Sequence, residues 1–242
     1  MSLPRPGHCL RRAFCTAAAL TFPVAALPIA VSATAVPSAA NSARWNEGPG
    51  AAEPSFKYTV GRVTAADFPY TWHRGCPVAP SSLRMLHMSY WGFDAKAHSG
   101  TMVVNASVVS SVVQVFRTLY RERFPIWEMV PEDAYHGSDN TAAAADDTSG
   151  FNCRYSVAPG PPRWSVHAYG EAIDVNDVQN PYVDGHTIIP PAGAAYLNRS
   201  DVRRGMAVPG GDLVRAFESV GWYWGGQWLS SPDYQHFSLT GG

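Results

Sequence analysis

The start of the chain limits most strongly which part of it can fold. Three arginines precede an apolar, alanine-rich run over residues 13–30, and Ala33-Thr34-Ala35 then supplies the small-x-small pattern of a secretory cleavage site. The alternative is a retained membrane anchor, which needs about 20 apolar residues, but two prolines interrupt this run. The sequence therefore predicts a signal peptide over residues 1–35 and a secreted or cell-envelope protein.

The remainder of the chain is predicted to contain a leader and one domain. Residues 36–56 are rich in Ala, Pro, Ser, Asn and Gly and lack an apolar period, which is typical of a flexible segment. Residues 57–242 are predicted to form the folded domain. The whole chain has 18 basic and 19 acidic side chains, so no basic excess favours nucleic acid. No second long apolar run follows, so we expect no stable membrane insertion after signal cleavage, and we expect a monomer.

The apolar pattern indicates an α+β fold. Apolar residues at spacings of three and four predict a helix that begins near 105–107 and is ended by Pro125: Val108, Val112, Val115, Phe116, Leu119 and Tyr120. A second helix is predicted over 212–220, with Gly221 as its terminating residue. Short apolar runs predict strands at 83–91, 100–105, 126–130, 171–176 and 234–239. Helices and strands do not alternate regularly, so we expect helices packed on a small, mostly antiparallel sheet.

Cysteine usage predicts one disulfide. Removal of the signal peptide leaves Cys76 and Cys153, and two cysteines in an exported chain most simply pair with each other. The alternative is a reactive thiol at Cys153, as in a cysteine peptidase.

Two polar segments carry side chains of the kinds that bind metal. Residues 165–176 contain His167 and Asp174, and residues 233–237 contain His236. Two histidines and a carboxylate are ligand types of an open catalytic zinc site. An odd offset of seven places His167 and Asp174 on opposite faces of a straight strand, so the chain must turn between them. Gly170 is the residue that permits such a turn.

The order of these motifs resembles a known family. Ser165-x-His167-x-x-Gly170-x-Ala172-x-Asp174, followed by Asp233-x-x-His236-Phe237, is similar to the zinc D-alanyl-D-alanine carboxypeptidase and L-alanyl-D-glutamate endopeptidase family of peptidoglycan metallopeptidases. Flanking segments fit the same pattern: 103–105, 124–126, 151–154, 180–182 and 221–226. The resemblance implies the family's fold, which is shared with hedgehog-like proteins, and a zinc site on the sheet.

The resemblance also implies roles for individual residues. One Zn²⁺ per chain would be bound by His167, Asp174 and His236. Asp233 would act as general base toward a zinc-activated water, and Arg154 would orient the substrate. Further residues expected to be part of the site or near it are Ser165 and Trp224 in substrate binding, and Glu171 and Asp177 as exposed neighbours without a catalytic role.

The substrates implied are peptidoglycan stem peptides. The sequence leaves open whether the bond hydrolysed is D-Ala-D-Ala, as in a carboxypeptidase, or L-Ala-D-Glu, as in an endopeptidase. A non-catalytic peptidoglycan-binding module that keeps the peptidase fold is the alternative from another functional class.

Overall fold

A computed structural model describes residues 54–157 and 160–241. The predicted signal peptide, 1–35, and most of the predicted leader, 36–56, lie outside the described residues. Phe56, which the prediction assigns to the leader, packs against the main core, and its ring centroid lies 5.7 Å from that of Tyr120. The last residues of the predicted leader therefore belong to the folded domain.

The described residues form short strands, three α-helices and several single 3₁₀ turns. The strands are β1 (Tyr58–Arg62), β2 (Leu83–Gly92), β3 (Ala97–Asn105), β4 (Pro125–Ile126), β5 (Ala172–Asp174), β6 (Tyr182–Asp184), β7 (Thr187–Ile189), β8 (Tyr223–Trp224) and β9 (His236–Ser238). The helices are α1 (Val109–Arg121), α2 (Asp139–Ala144) and α3 (Asp212–Glu218). The predicted α+β class is confirmed.

The larger sheet is built around β2. β1 and β3 pair with it antiparallel, and β4 pairs in parallel with its last two residues. Leu86, Met88 and Tyr90 alternate along β2 and enter the main core, as expected for a strand with one buried face. The predicted strands at 83–91 and 100–105 are confirmed, although β3 begins three residues earlier than expected.

Helix α1 covers this sheet and follows the predicted apolar stripe. All six residues of the stripe are buried. The Asn105 side chain accepts a hydrogen bond from the Ser107 amide at 3.1 Å and so caps the turn that leads into the helix. The helix ends at Arg121 rather than at Pro125, because Arg123 adopts a positive φ of 52° that reverses the chain. Pro125 instead begins β4, so only the first residue of the predicted strand at 126–130 is in a strand.

The smaller sheet has the order β5-β9-β8 and is antiparallel throughout. Ile173 lies opposite Phe237, and both are fully buried against α3, where the Phe237 ring stacks on Phe217 at 4.1 Å. Asp174 lies opposite His236 on the other face of the same pair. One face of this sheet thus faces the core, and the other presents polar side chains.

The second predicted helix is shorter than expected. α3 stops at Glu218, and Gly221 follows with a φ of 81°, in agreement with its predicted role at the end of the helix. Across residues 54–157 and 160–241, none of the helices combines the length and apolar character needed to cross a bilayer.

Candidate metal centre and active-site cavity

A tight turn brings the first histidine onto the face that carries the aspartate. Ser165 caps the 3₁₀ turn Val166–Tyr169, where its hydroxyl accepts a hydrogen bond from the His167 amide at 3.3 Å. Gly170 then reverses the chain with a φ of 69°, and a Cβ at this position would lie 2.6 Å from the Asn105 backbone nitrogen. The turn expected at Gly170 is therefore present, and both conformation and close packing require glycine there.

His167, Asp174 and His236 meet at one point. His167 Nε2 lies 3.2 Å from Asp174 Oδ2, and His236 Nδ1 lies 3.1 Å from Asp174 Oδ1. The two facing ring nitrogens are 3.1 Å apart. All three side chains are buried. The structure thus brings together the three residues that the sequence motifs single out as metal ligands.

The hydrogen bonds around this cluster leave lone pairs facing each other. His167 Nδ1 lies 2.7 Å from the Gly150 carbonyl oxygen, which can only accept, so the ring proton is on Nδ1 and a neutral His167 presents a lone pair at Nε2. That lone pair points toward a carboxylate oxygen and a second imidazole nitrogen. Such an arrangement is unfavourable unless a cation, either a proton or a metal ion, lies between the donors.

The electrostatics of the cluster point the same way. Burial alone would raise the pKa of Asp174, but His167 and His236 lower it well below its usual range, so the carboxylate stays ionised. Burial opposes protonation of His167, yet Asp174 raises the pKa of His167 to about 9. Burial lowers the pKa of His236 despite the same carboxylate. The buried Asp174 carboxylate would therefore be stabilised by a positive charge located among the three side chains.

The donor set fits zinc. Two imidazole nitrogens and one carboxylate oxygen are ligands of open catalytic zinc sites, and donors at about 2.0–2.1 Å from one tetrahedral ion lie roughly 3.3–3.4 Å apart. The two facing ring nitrogens, 3.1 Å apart, are close to this value, and each lies 3.1–3.2 Å from one of the two Asp174 carboxylate oxygens. The Gly150 carbonyl holds the His167 ring from outside, as second-layer groups do around metal-bound histidines.

Asp233 lies beside this cluster without being part of it. Its amide donates to the Gly225 carbonyl at 3.1 Å, which ties the segment to the turn after β8. The Asp233 Oδ1 atom is shielded from solvent and has no hydrogen-bond partner among the described residues. Burial and the nearby Asp174 charge raise the pKa of Asp233 well above its usual range. In the absence of a cation among the neighbouring side chains, burial and Asp174 therefore favour the protonated form of this carboxyl group.

Arg154 is held by a residue that the sequence analysis does not single out. Asp139, the first residue of α2, lies 2.5 Å from Arg154 Nη2. Burial alone would lower the pKa of Arg154, but Asp139 and Glu132 more than compensate and raise it, so the side chain remains cationic. Nothing in the spacing of residues 139 and 154 predicts this pair, because it depends on how α2 folds back.

The disulfide fixes the chain next to Arg154. Cys76 and Cys153 are bonded, with their Cα atoms 5.8 Å apart, so the predicted pairing is confirmed. Cys153 therefore has no free thiol in this structure, which argues against the alternative of a cysteine nucleophile. The bond joins the segment before β2 to the residue that directly precedes Arg154.

These groups line one cavity of about 1000 Å³. The three metal-ligand candidates, Asp233, Arg154 and Ser165 all contribute to its wall. Other residues in the wall, which the sequence analysis does not assign to the site, include Asp139, Arg163, Tyr182, Trp228 and Gln235. Glu171 also lines it and is half-buried rather than exposed.

Two expectations about side-chain positions differ from the structure. Trp224 is in the main core, where its indole N–H donates to the Tyr234 carbonyl at 2.9 Å, and it does not line the cavity. Trp228 lines the cavity instead, with its ring 5.4 Å from that of His236. Asp177 is buried, not an exposed neighbour, and burial raises its pKa well above the usual range.

Comparison with known proteins bears directly on this site. A family model described as D-alanyl-D-alanine carboxypeptidase matches residues 159–239. This is the family that the sequence motifs resemble. The matched segment, about a third of the chain, contains all three metal-ligand candidates and Asp233, whereas Arg154, Asp139 and both disulfide cysteines precede it. The match supports a peptidase related to peptidoglycan. Searches of curated proteins and of solved structures returned no match.

Proposed function

We propose that this chain is an exported, zinc-dependent peptidase that hydrolyses peptidoglycan stem peptides. The bond cleaved would be D-Ala-D-Ala, as in a carboxypeptidase, or L-Ala-D-Glu, as in an endopeptidase. The observation that carries the proposal is the convergence of three buried side chains, His167, Asp174 and His236, in the wall of a peptide-sized cavity, where one ligand atom from each lies within 4.8 Å of the others. Residues 1–35 would direct export.

His167, Asp174 and His236 would hold the metal. When bound in such a site, zinc acts as a Lewis acid that polarises the scissile carbonyl and lowers the pKa of a coordinated water to about 7. The protein's part would be to keep these three side chains in place, and the Gly170 turn and the β5–β9 pairing support that role.

Asp233 would move the proton. Its Oδ1 has no hydrogen-bond partner among the described residues, and the positive charge of a bound metal would lower the pKa of Asp233, so that the carboxylate would accept a proton from the attacking water as the new C–O bond forms. The same carboxyl group would then protonate the nitrogen of the leaving amine as the C–N bond breaks. This assigns both steps of general acid–base catalysis to one residue in the cavity wall.

Arg154 would bind an oxygen anion of the substrate. A guanidinium can pair with two oxygens at once, so it suits a terminal carboxylate or the oxyanion that develops on the scissile carbonyl. Asp139 holds one side of the guanidinium, while Nε has no hydrogen-bond partner among the described residues. Part of its hydrogen-bonding capacity is therefore available to a ligand.

The decisive experiment uses a synthetic stem pentapeptide, L-Ala-γ-D-Glu-L-Lys-D-Ala-D-Ala, with mass detection of the products. We expect the zinc-loaded protein to release either the terminal D-Ala or the first L-Ala. A chelator should abolish the reaction, and added zinc should restore it. If the zinc-loaded protein binds the peptide but cleaves neither bond, the non-catalytic binding module replaces the peptidase.

A further inference from the structure

Of the eleven buried side-chain polar atoms without partners in the described part of the chain, five belong to residues that line the cavity. Among the described residues, those on cavity-lining side chains are Arg154 Nε, Asp233 Oδ1, His236 Nε2, Tyr182 Oη and Gln235 Oε1. Folded proteins pair nearly all such atoms, so each exception needs an explanation. The first three belong to residues that already have a role in the proposed reaction. Tyr182 and Gln235 do not.

The backbone places Tyr182 directly against Asp233. The two residues form an isolated antiparallel bridge, and the Val183 amide donates to the Pro232 carbonyl at 2.9 Å. Directly opposed residues of an antiparallel pair project side chains to the same side. The phenol ring therefore projects beside the carboxyl group that we assign to proton transfer.

The Tyr182 hydroxyl is available as a hydrogen-bond donor. The residue is 8% exposed, and its Oη atom has no hydrogen-bond partner within the described part of the chain. Burial raises the pKa of Tyr182, the nearby Ser231 hydroxyl lowers it, and the carboxylates of Asp184 and Asp233 raise it, so that the net shift is upward and the phenol keeps its proton at neutral pH. Phenylalanine would fill the same space without burying an unpaired hydroxyl, so packing alone does not explain tyrosine here.

We propose that the Tyr182 hydroxyl donates a hydrogen bond to a carbonyl or carboxylate oxygen of the bound stem peptide, beside the bond that is cleaved. This rests on the proposed function and adds a substrate-contacting residue to it. The Ser231 hydroxyl is the neighbouring group of the chain that interacts with Tyr182, and it also lines the cavity, but no formed hydrogen bond satisfies the Tyr182 Oη atom. An oxygen of the bound peptide would supply the acceptor for this buried hydroxyl.

The test compares two Tyr→Phe variants that differ in the hydrogen bond they lose. Tyr182→Phe removes the unpaired hydroxyl from the cavity wall. Tyr120→Phe is the matched control, because the Tyr120 hydroxyl donates to the Pro54 carbonyl at 2.7 Å and Tyr120 does not line the cavity. Measurements on the zinc-loaded full chain are zinc content, Tm, and kcat/KM and Kd for the stem pentapeptide.

For Tyr182→Phe we expect kcat/KM to fall about tenfold, the size of one lost hydrogen bond. Zinc content should be unchanged, and Tm should be unchanged or higher because no folded-state bond is lost. Tyr120→Phe should lower Tm and leave kcat/KM unchanged. A Tyr182→Phe variant with the parent's kcat/KM and Kd overturns the proposal, as does one that loses stability like the control.

Failure of the proposed function is a separate result. If the parent cleaves no bond in the pentapeptide, the peptidase proposal fails, and the Tyr182 proposal is decided by calorimetric Kd alone. A Kd weakened about tenfold in Tyr182→Phe then supports the contact, and an unchanged Kd overturns it.

Discussion

The two sheets of this protein are built in different ways. In the larger sheet, β2 and β3 pair over nine consecutive positions, so a regular hydrogen-bond ladder and alternating side chains define it. In the smaller sheet, β5 and β9 pair over only three positions. Isolated contacts extend this pairing, including the two-way bridge between Ser149 and Asp174. The larger, regular sheet supplies the scaffold, and the smaller sheet carries Asp174 and His236, two of the three candidate metal ligands.

The largest expected effect comes from breaking the smaller sheet's metal cluster. His236→Ala removes one ligand, so zinc content should fall from near one per chain to near zero. A catalytic metal typically contributes several kcal/mol to transition-state stabilisation, so if the proposed function holds, turnover should fall at least about a thousandfold. Metal analysis and peptide hydrolysis check this.

The control for that variant is a histidine of the larger sheet. His87 is exposed on β2 and contacts Thr101 on β3. His87→Ala should keep both zinc and turnover. If His236→Ala retained a full complement of zinc, the ligand assignment would be wrong.

The next effect separates proton transfer from metal binding. Asp233→Asn keeps the size of the side chain but removes its basicity, so turnover should fall about 10²–10⁴-fold. Zinc content should stay near one, because Asp233 is not one of the three converging residues. Asp201→Asn, an exposed aspartate near Arg203, is the control and should match the parent. Hydrolysis by Asp233→Asn at the parent's rate would contradict the assigned base.

A third prediction concerns stability in the segment that joins the two sheets. Glu132 is buried and accepts hydrogen bonds from Ser149 and Asn152, and burial together with Asp139 raises its pKa to about 7. The folded state therefore holds a proton on Glu132 that the unfolded state loses above the ordinary glutamate pKa of 4.5. The free energy of unfolding should thus decrease as pH rises between these two values.

Glu132→Gln isolates this contribution, because glutamine does not titrate. The free energy of unfolding of the variant minus that of the parent should be about 3 kcal/mol larger at pH 8 than at pH 4, because only the parent loses stability over this range. Urea titrations of the metal-free protein at the two pH values measure the difference. The exposed Glu122→Gln variant should stay within about 0.5 kcal/mol of the parent at both. If the difference in unfolding free energy between parent and variant is the same at both pH values, Glu132 does not contribute to the pH dependence of stability.

The smallest expected effect concerns the positioning of Arg154. Asp139→Asn weakens a partly exposed ion pair, so kcat/KM should fall about tenfold or less, with zinc retained. Because Asp139 acts through Arg154, Arg154→Ala should lose more activity. Asp139→Glu should restore part of it. Equal losses in Asp139→Asn and Asp139→Glu would indicate a structural rather than a positioning role.

Much of this architecture is encoded locally enough to be predicted. The α1 stripe, the two long strands and Gly221 follow from spacing and from the conformations that single residues prefer. β1 was not predicted because most of its residues are exposed and show no apolar alternation. α2 is six residues long and too short to show a period.

The site divides in the same way. The three ligand candidates and Asp233 occur in a recognisable order along the sequence, so they could be named in advance. Asp139 and Tyr182 join the cavity only through tertiary contacts. Trp224 and Trp228 cannot be told apart by type, because the turn Gly225–Gln227 between them decides which one enters the core and which one lines the cavity.

Asn105 links the two sheets through its own backbone and side chain. Its amide donates to the Gly170 carbonyl at 2.8 Å, and its side-chain Nδ2 donates to the Tyr169 carbonyl at 2.9 Å, while the same side chain caps the turn before α1. The turn that contains His167 therefore cannot open without breaking the hydrogen bonds made by Asn105, the last residue of β3. In hydrogen-exchange terms, the Asn105 amide should exchange only through a sub-global opening that frees both sheets together, and its protection should rise when zinc binds.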